Sequence, residues 1–100
     1  MGQKAPRVCT KSEDVRQLEA WIGKLPAHMP VSVTDKAGKQ YDGIVCIRPS
    51  VQSFRDRDGV EGVNGVLRLE NAAADNGEYR IWLDEIADVR LRVAYAARAA

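Results

Sequence analysis

The stretch from Val31 to Ile47 constrains the fold more than any other part of the sequence. Two alternating apolar runs, Val31-Ser32-Val33-Thr34-Asp35 and Tyr41-Asp42-Gly43-Ile44-Val45-Cys46-Ile47, flank the polar, glycine-containing turn Lys36-Ala37-Gly38-Lys39. Period-two alternation on both sides of such a turn predicts a β-hairpin with one buried face. Gly43 lies inside the second run, where a glycine weakens a strand unless the backbone must bend there. A strand bent at a glycine curls a small sheet toward a barrel.

The rest of the chain extends this pattern. Residues 1–9 are polar, basic and proline-containing, and are expected to be a disordered tail. Thr10-Lys11-Ser12-Glu13 has the spacing of a capping box, with Ser12 as the other plausible cap, and Glu13 and Asp14 suit the positive end of a helix. Val15, Leu18, Ile22 and Leu25 then form an apolar stripe bordered by Trp21, and Pro26 stops the helix, predicted over 11–25.

Strands are predicted from residue 30 to 93. After the hairpin, Pro49 marks a bulge, an edge or a strand end. Ser50 to Gly62 reads as a polar connection with a turn at Asp58-Gly59 and one large apolar ring, Phe54. A third strand places Val63, Gly65, Leu67 and Leu69 on one face and Asn64, Val66, Arg68 and Glu70 on the other. Asn76-Gly77 is a two-residue turn signal. The fourth strand turns Tyr79, Ile81 and Leu83 inward and Arg80, Trp82 and Asp84 outward. After a short turn at Glu85-Ile86-Ala87, Val89, Leu91 and Val93 form a fifth strand, and 94–100 is an alanine-rich frayed tail. The expected fold class is mainly β with one N-terminal helix and five short antiparallel strands, as a single domain over 10–93.

Composition bounds the function. The chain of 100 residues, 45% apolar and 29% charged, has the make-up of a soluble globular protein. No apolar run approaches the roughly 18 residues that span a bilayer, so no membrane partner is expected. The start, Met1 to Arg7, has no apolar stretch behind its charge, so no signal peptide is read there and a cytoplasmic location is expected. Cys9 and Cys46 lack metal-ligand spacing and are expected to be free thiols. A net charge of +1 gives no global attraction for nucleic acid, so any such role must rest on a local patch.

One patch stands out. Arg48, Gln52, Ser53, Phe54, Arg55 and Arg57 lie on or near the connection between the second and third strands. Guanidinium groups bind phosphates, and a ring such as Phe54 can stack on an unpaired base. Asp56 and Asp58 alternate with these arginines, so a solvated or protein-contacting loop is the competing reading. Asp56-Arg57-Asp58-Gly59 starts like a calcium loop, but Val60 occupies the next acidic position and the glycine comes too early. His28 and Cys46 have no spacing that supports a catalytic dyad, and Asp84, Glu85 and Asp88 read as a charged turn. No cofactor, metal or enzymatic activity is expected.

The order of one helix and five strands resembles the Sm and Sm-like family, including its Hfq branch. Val31-x-Val33, Gly38, Tyr41-x-Gly43 and Val45 resemble the first half of that family's first motif, and the turn from Asp84 to Asp88 matches the position of its second. The resemblance implies a strongly bent five-stranded small barrel, a non-enzymatic module and RNA as partner. It also implies self-assembly by pairing the fourth strand of one subunit with the fifth of the next. RNA-binding members use an Asp-x-(apolar)-Asn segment after the second strand and an Arg-Gly or Lys-His pair before the fifth. Here Ser50-Val51-Gln52-Ser53 and Asp84-Glu85 stand at those places. Carboxylates there would repel phosphates by on the order of 1 kcal/mol per close pair in water, so RNA contact is expected at Arg48 to Arg57 instead. The alternative is a protein-interaction or assembly module without nucleic acid, forming a dimer or ring through the fourth and fifth strands. Outward Trp82 would then belong to an interface, with Arg90 and Arg92 at the strand edge.

Overall fold

In the computed structural model, which describes residues 3–92, the chain forms eight strands and one α-helix. β1 (Gln3–Lys4) precedes helix α1 (Ser12–Gly23), and β2 (Pro30–Asp35), β3 (Gln40–Val45), β4 (Gln52–Arg55), β5 (Glu61–Asn64), β6 (Val66–Glu70), β7 (Glu78–Trp82) and β8 (Ile86–Leu91) follow. The predicted tail at 94–100 and Val93 of the fifth predicted strand lie outside the described residues. No described helix is long and apolar enough to cross a membrane.

One turn design makes two of the hairpins. Asp35 Oδ1 accepts the Ala37 and Lys39 backbone N–H groups, both at 2.9 Å, and Gly38 sits at φ +92°. Asp56 Oδ1 accepts the Asp58 and Val60 N–H groups, again at 2.9 Å, with Gly59 at φ +80°. An aspartate that caps its own turn, followed three residues later by a glycine in the left-handed region, reverses the chain tightly. The first turn joins β2 to β3, and the second joins β4 to β5. Ser50 to Gly62 is therefore a hairpin and not the polar loop expected from its composition.

The strands form two sheets: β7-β6-β3-β2-β8, which is antiparallel throughout, and β1-β4-β5. The larger sheet holds the five strands expected from the sequence. Its edges, β7 and β8, are separated in sequence only by the turn Leu83–Glu85. Flat, five strands at about 4.8 Å spacing would hold those edges about 19 Å apart, whereas four Cα steps reach at most about 14 Å. The sheet must curl until its edges approach. It does not close, because β7 and β8 do not pair. The turn bonds elsewhere: Leu83 N–H donates to the Gly65 carbonyl at 2.9 Å, and the Glu85 carbonyl accepts the Lys36 N–H at 2.8 Å. A single closed five-stranded barrel is thus corrected to an open, curled five-stranded sheet with a second sheet beside it.

Four further expectations change. The predicted disordered tail is ordered over residues 3–9: β1 runs parallel to β4, Ala5 is buried, and Cys9 bridges Val63 with bonds of 2.7 and 3.0 Å. Since Cys9 enters the helix from that bridge, Lys11 takes the N-cap position and no side-chain cap bond forms. The predicted third strand breaks at Gly65, where the chain passes from one sheet to the other. Gly43 has no left-handed φ; what it supplies is room, since a Cβ there would lie 2.7 Å from the Glu70 carbonyl oxygen of β6.

The core is the one the alternation marks except on the last strand, where Ile86, expected in a turn, is buried and Leu91, expected beside Val89, is exposed. Val31, Val33, Val45, Leu67, Leu69, Ile81, Leu83, Ile86 and Val89 are buried inside the curl, covered by Leu18 of α1 and by Leu25, which follows the helix because α1 ends at Gly23 and not at residue 25. Ile86 and Val89 both point inward although three apart, because the β2–β8 register shifts at Thr34/Asp35. Burial of each such aliphatic side chain contributes about 1.5–3 kcal/mol before entropy is counted.

One polar residue sits among them. Asn64, 0% exposed, donates to the Arg7 carbonyl at 3.0 Å and to Asp84 Oδ1 at 3.1 Å, while its own Oδ1 accepts the Gly65 N–H at 2.8 Å. Replacing Asn64 with alanine would leave the buried Gly65 N–H without its partner and remove the part-buried bonds to the Arg7 carbonyl and Asp84. Urea unfolding of Asn64→Ala should show a loss of about 2–3 kcal/mol, and a loss below about 0.5 kcal/mol would contradict this account.

Carboxylates set the acid limit. Asp35 is held below the ordinary range chiefly by the Lys39 N–H, against the opposing effect of burial and with help from Tyr41 and other turn donors. Asp42 is lowered by the Ser32 hydroxyl at 2.6 Å, and Glu78 by the Arg68 guanidinium at 2.8 Å. A lowered native pKa gives stability that is full above the unfolded value, about 4, and lost as pH falls through the native one. The urea midpoint should therefore hold above about pH 5 and drop from there toward pH 3, and drop less in Asp35→Asn, whose amide oxygen still caps the turn. An unchanged midpoint would rule this out.

Candidate nucleic-acid interface

Strand parity divides the predicted cluster. Along β4, Gln52 and Phe54 face one way and Ser53 and Arg55 the other. Phe54, 4% exposed, packs edge-to-face on Trp82 with ring centroids 5.3 Å apart at 80°. Its ring is not free to take a base, which corrects the stacking role expected of it. Arg55 pairs with Glu61 across the hairpin at 2.7 Å. Arg57 projects from the turn beyond, where Asp56 is engaged in capping the backbone.

Arg48 and Gln52 remain, and the fold adds others to them. Ile47, Arg48, Pro49, Ser50, Gln52, Val66 and Arg68 line a recess of about 170 Å³. A second recess of about 320 Å³, lined by Gln3, Lys4, Phe54, Val66, Arg80 and Trp82, adjoins it at Val66. The Gln3 amide donates to Gln52 Oε1 at 2.9 Å and ties the two together. Neither lining contains a carboxylate.

The charge on this face is concentrated by register. Arg68 of β6 stands directly opposite Arg80 of β7. Like charges so placed on one face oppose each other and need a counter-charge. Glu78 supplies one, accepting two bonds from Arg68 at 2.8 and 3.3 Å, which raises the Arg68 pKa. Arg80, Arg48 and Lys4 form no ion pair among the described residues.

Sequence reading missed three of these residues. Arg68 and Arg80 were already on outward faces beside Trp82, but their opposition depends on the β6–β7 register. Lys4 lay in a segment expected to be disordered. Of the residues expected at an interface, Trp82 is partly covered by Phe54 of its own chain. Arg90 pairs with Asp88 at 2.9 Å on β8, and Arg92 follows β8, its N–H donating to the Pro30 carbonyl at 2.9 Å.

The acidic turn is a separate site. Arg7 binds Asp84 at 2.6 and 3.3 Å and Glu85 at 2.6 Å, so one guanidinium spans both carboxylates. Its pKa is raised, first by the bond to Asp84 and against the effect of burial. A shallow recess of about 380 Å³ beside it is lined by Arg7, Asp35, Lys36, Ala37, Asp84 and Glu85. The negative charge that the sequence places before the last strand is thus largely covered by the N-terminal arm. Cys9 and Cys46 are free thiols, and burial pushes the Cys9 thiol up. No group of three or more metal-ligating side chains comes together among the described residues.

Comparison with known proteins fits this architecture. The chain is similar to the protein XC5848 from Xanthomonas campestris, whose crystal structure is described as adopting a novel variant of the Sm-like motif. The two share 33% identity, with a TM-score of 0.82, over 90% of this chain and 97% of that one. No curated protein matches the sequence. Residues 2–91 match the family described as a domain of unknown function, DUF3247. The likeness to the Sm-like family read from Val31 to Val45 thus has a structural counterpart, and this chain belongs to the DUF3247 family.

Proposed function

We propose that this protein is a non-enzymatic Sm-like module that contacts single-stranded nucleic acid, RNA first, through the face bearing Lys4, Arg48, Arg68 and Arg80. The observation that carries this reading is the convergence of these cations on two joined recesses with no carboxylate in their lining, in a chain of net charge +1. Phosphate contacts of this kind position a strand without reading its sequence. The pore-type contact of the Sm-like family is not part of the proposal, since Asp84 and Glu85 occupy that turn.

Fluorescence anisotropy with short labelled RNA and DNA at low and moderate salt tests it. Four cations acting together should give a slope of log affinity against log salt of about −3 for a single strand. Arg48→Glu with Arg80→Glu should abolish binding, and Arg55→Ala with Arg57→Ala should weaken it far less. Absence of salt-sensitive binding would end this reading.

A second reading, self-assembly without nucleic acid, draws on the two unpaired edges of the larger sheet, β7 and β8. Unpaired edges accept strands from other chains. Light scattering at micromolar concentration should then show a dimer or ring, and a strict monomer excludes it.

A further inference from the structure

We propose that the recess around Trp82 holds one nucleotide of a bound single strand, with the base on the indole and its phosphate between Lys4 and Arg80. This rests on the nucleic-acid reading and adds a specific subsite to it. The recess of about 320 Å³ is bounded by Gln3 and Lys4 of β1, Phe54 of β4, Val66 of β6, and Arg80 and Trp82 of β7. Its volume lies at the small end of ligand sites, which suits one nucleotide and not a duplex.

The floor is a braced indole. Trp82 is half-buried, with Val66 directly opposite on the next strand and Phe54 at 80° to it. An edge-to-face pair occupies at most one face of the indole, and Phe54 is the only aromatic partner of Trp82 among the described residues. A base stacks on such a face whatever its identity. The walls carry cations with no direct ion pair: Lys4 and Arg80 form none among the described residues, Glu78 acting on Arg80 only through space, whereas Arg7, Arg55, Arg68 and Arg90 each pair with a carboxylate. A planar apolar floor between two such cations matches a base joined to a phosphate. Inorganic phosphate would use only the walls.

This arrangement exchanges the roles of two rings. Phe54, the ring that the sequence offers, supports the platform, and Trp82 provides it. Adjacent Arg48 and Arg68 would carry the phosphates of neighbouring nucleotides.

The test uses the full chain with Trp21→Phe, which leaves Trp82 as the only indole. Adenosine monophosphate and a short oligoadenylate should quench its emission saturably, and inorganic phosphate should not. Lys4→Glu, at an exposed side chain away from the core, should remove the mononucleotide quench while the urea midpoint stays unchanged. Trp82→Leu should weaken oligonucleotide binding about tenfold, and Trp82→Phe should retain most of it. Salt-sensitive oligonucleotide binding with Trp82 emission unchanged, and undiminished in Trp82→Leu, overturns the subsite and leaves the nucleic-acid reading standing. Absence of any oligonucleotide binding overturns both.

Discussion

The buried side chain of Asn64 connects the N-terminal arm to the acidic turn, two parts of this fold that share no strand pairing with each other. Its amide holds the arm at the Arg7 carbonyl and the acidic turn at Asp84, and its oxygen holds the Gly65 N–H where the chain leaves one sheet for the other. A buried amide with all these bonds made contributes little net energy, but leaving its partners unpaired is costly. The effect is specificity. The open sheet could curl to several degrees on apolar packing alone, and the arm could lie in several registers. The Asn64 bonds are satisfied together only when arm, crossover and turn meet at one place. The length of the Leu83–Glu85 turn then limits how far β7 and β8 can separate.

Much of this was legible where a residue's role is local. The Val31–Val45 hairpin, Leu18 of the helical stripe and most inward positions of the five longer strands follow from periodicity and are buried, whereas Ile47 and Leu91 are exposed. The β4–β5 hairpin was also legible, since Asp56-x-x-Gly59 has the spacing of Asp35-x-x-Gly38, but the polar composition of 50–62 obscured it. Asn64-Gly65 inside an apolar run was a second signal: a turn-favouring pair in a strand marks a break or a close approach.

What could not be read depends on pairing between distant segments. Two residues of β1 are too short for any periodicity, and they are ordered because β4 accepts them and Ala5 finds a buried place. Phe54 looked available because a lone ring among charges usually is. Its burial depends on Trp82, 28 positions later and on the other sheet. The candidate interface was therefore half visible: Arg48 and Gln52 from composition, Arg68 and Arg80 only through register, Lys4 only through the arm.

The arm ties the two charged regions of the molecule together. Its Arg7 covers Asp84 and Glu85, while its Lys4, three residues earlier, adds positive charge beside Trp82. Both effects shift the surface toward anion binding, one by masking carboxylates and the other by supplying an ammonium group. An arm free in solution would leave the acidic turn uncovered, remove a wall of the Trp82 recess and expose the edge of β4. The near-neutral total charge conceals this sorting, because surface potential depends on where charges are held and not on their sum. In this chain that sorting rests on a two-residue strand and one buried asparagine.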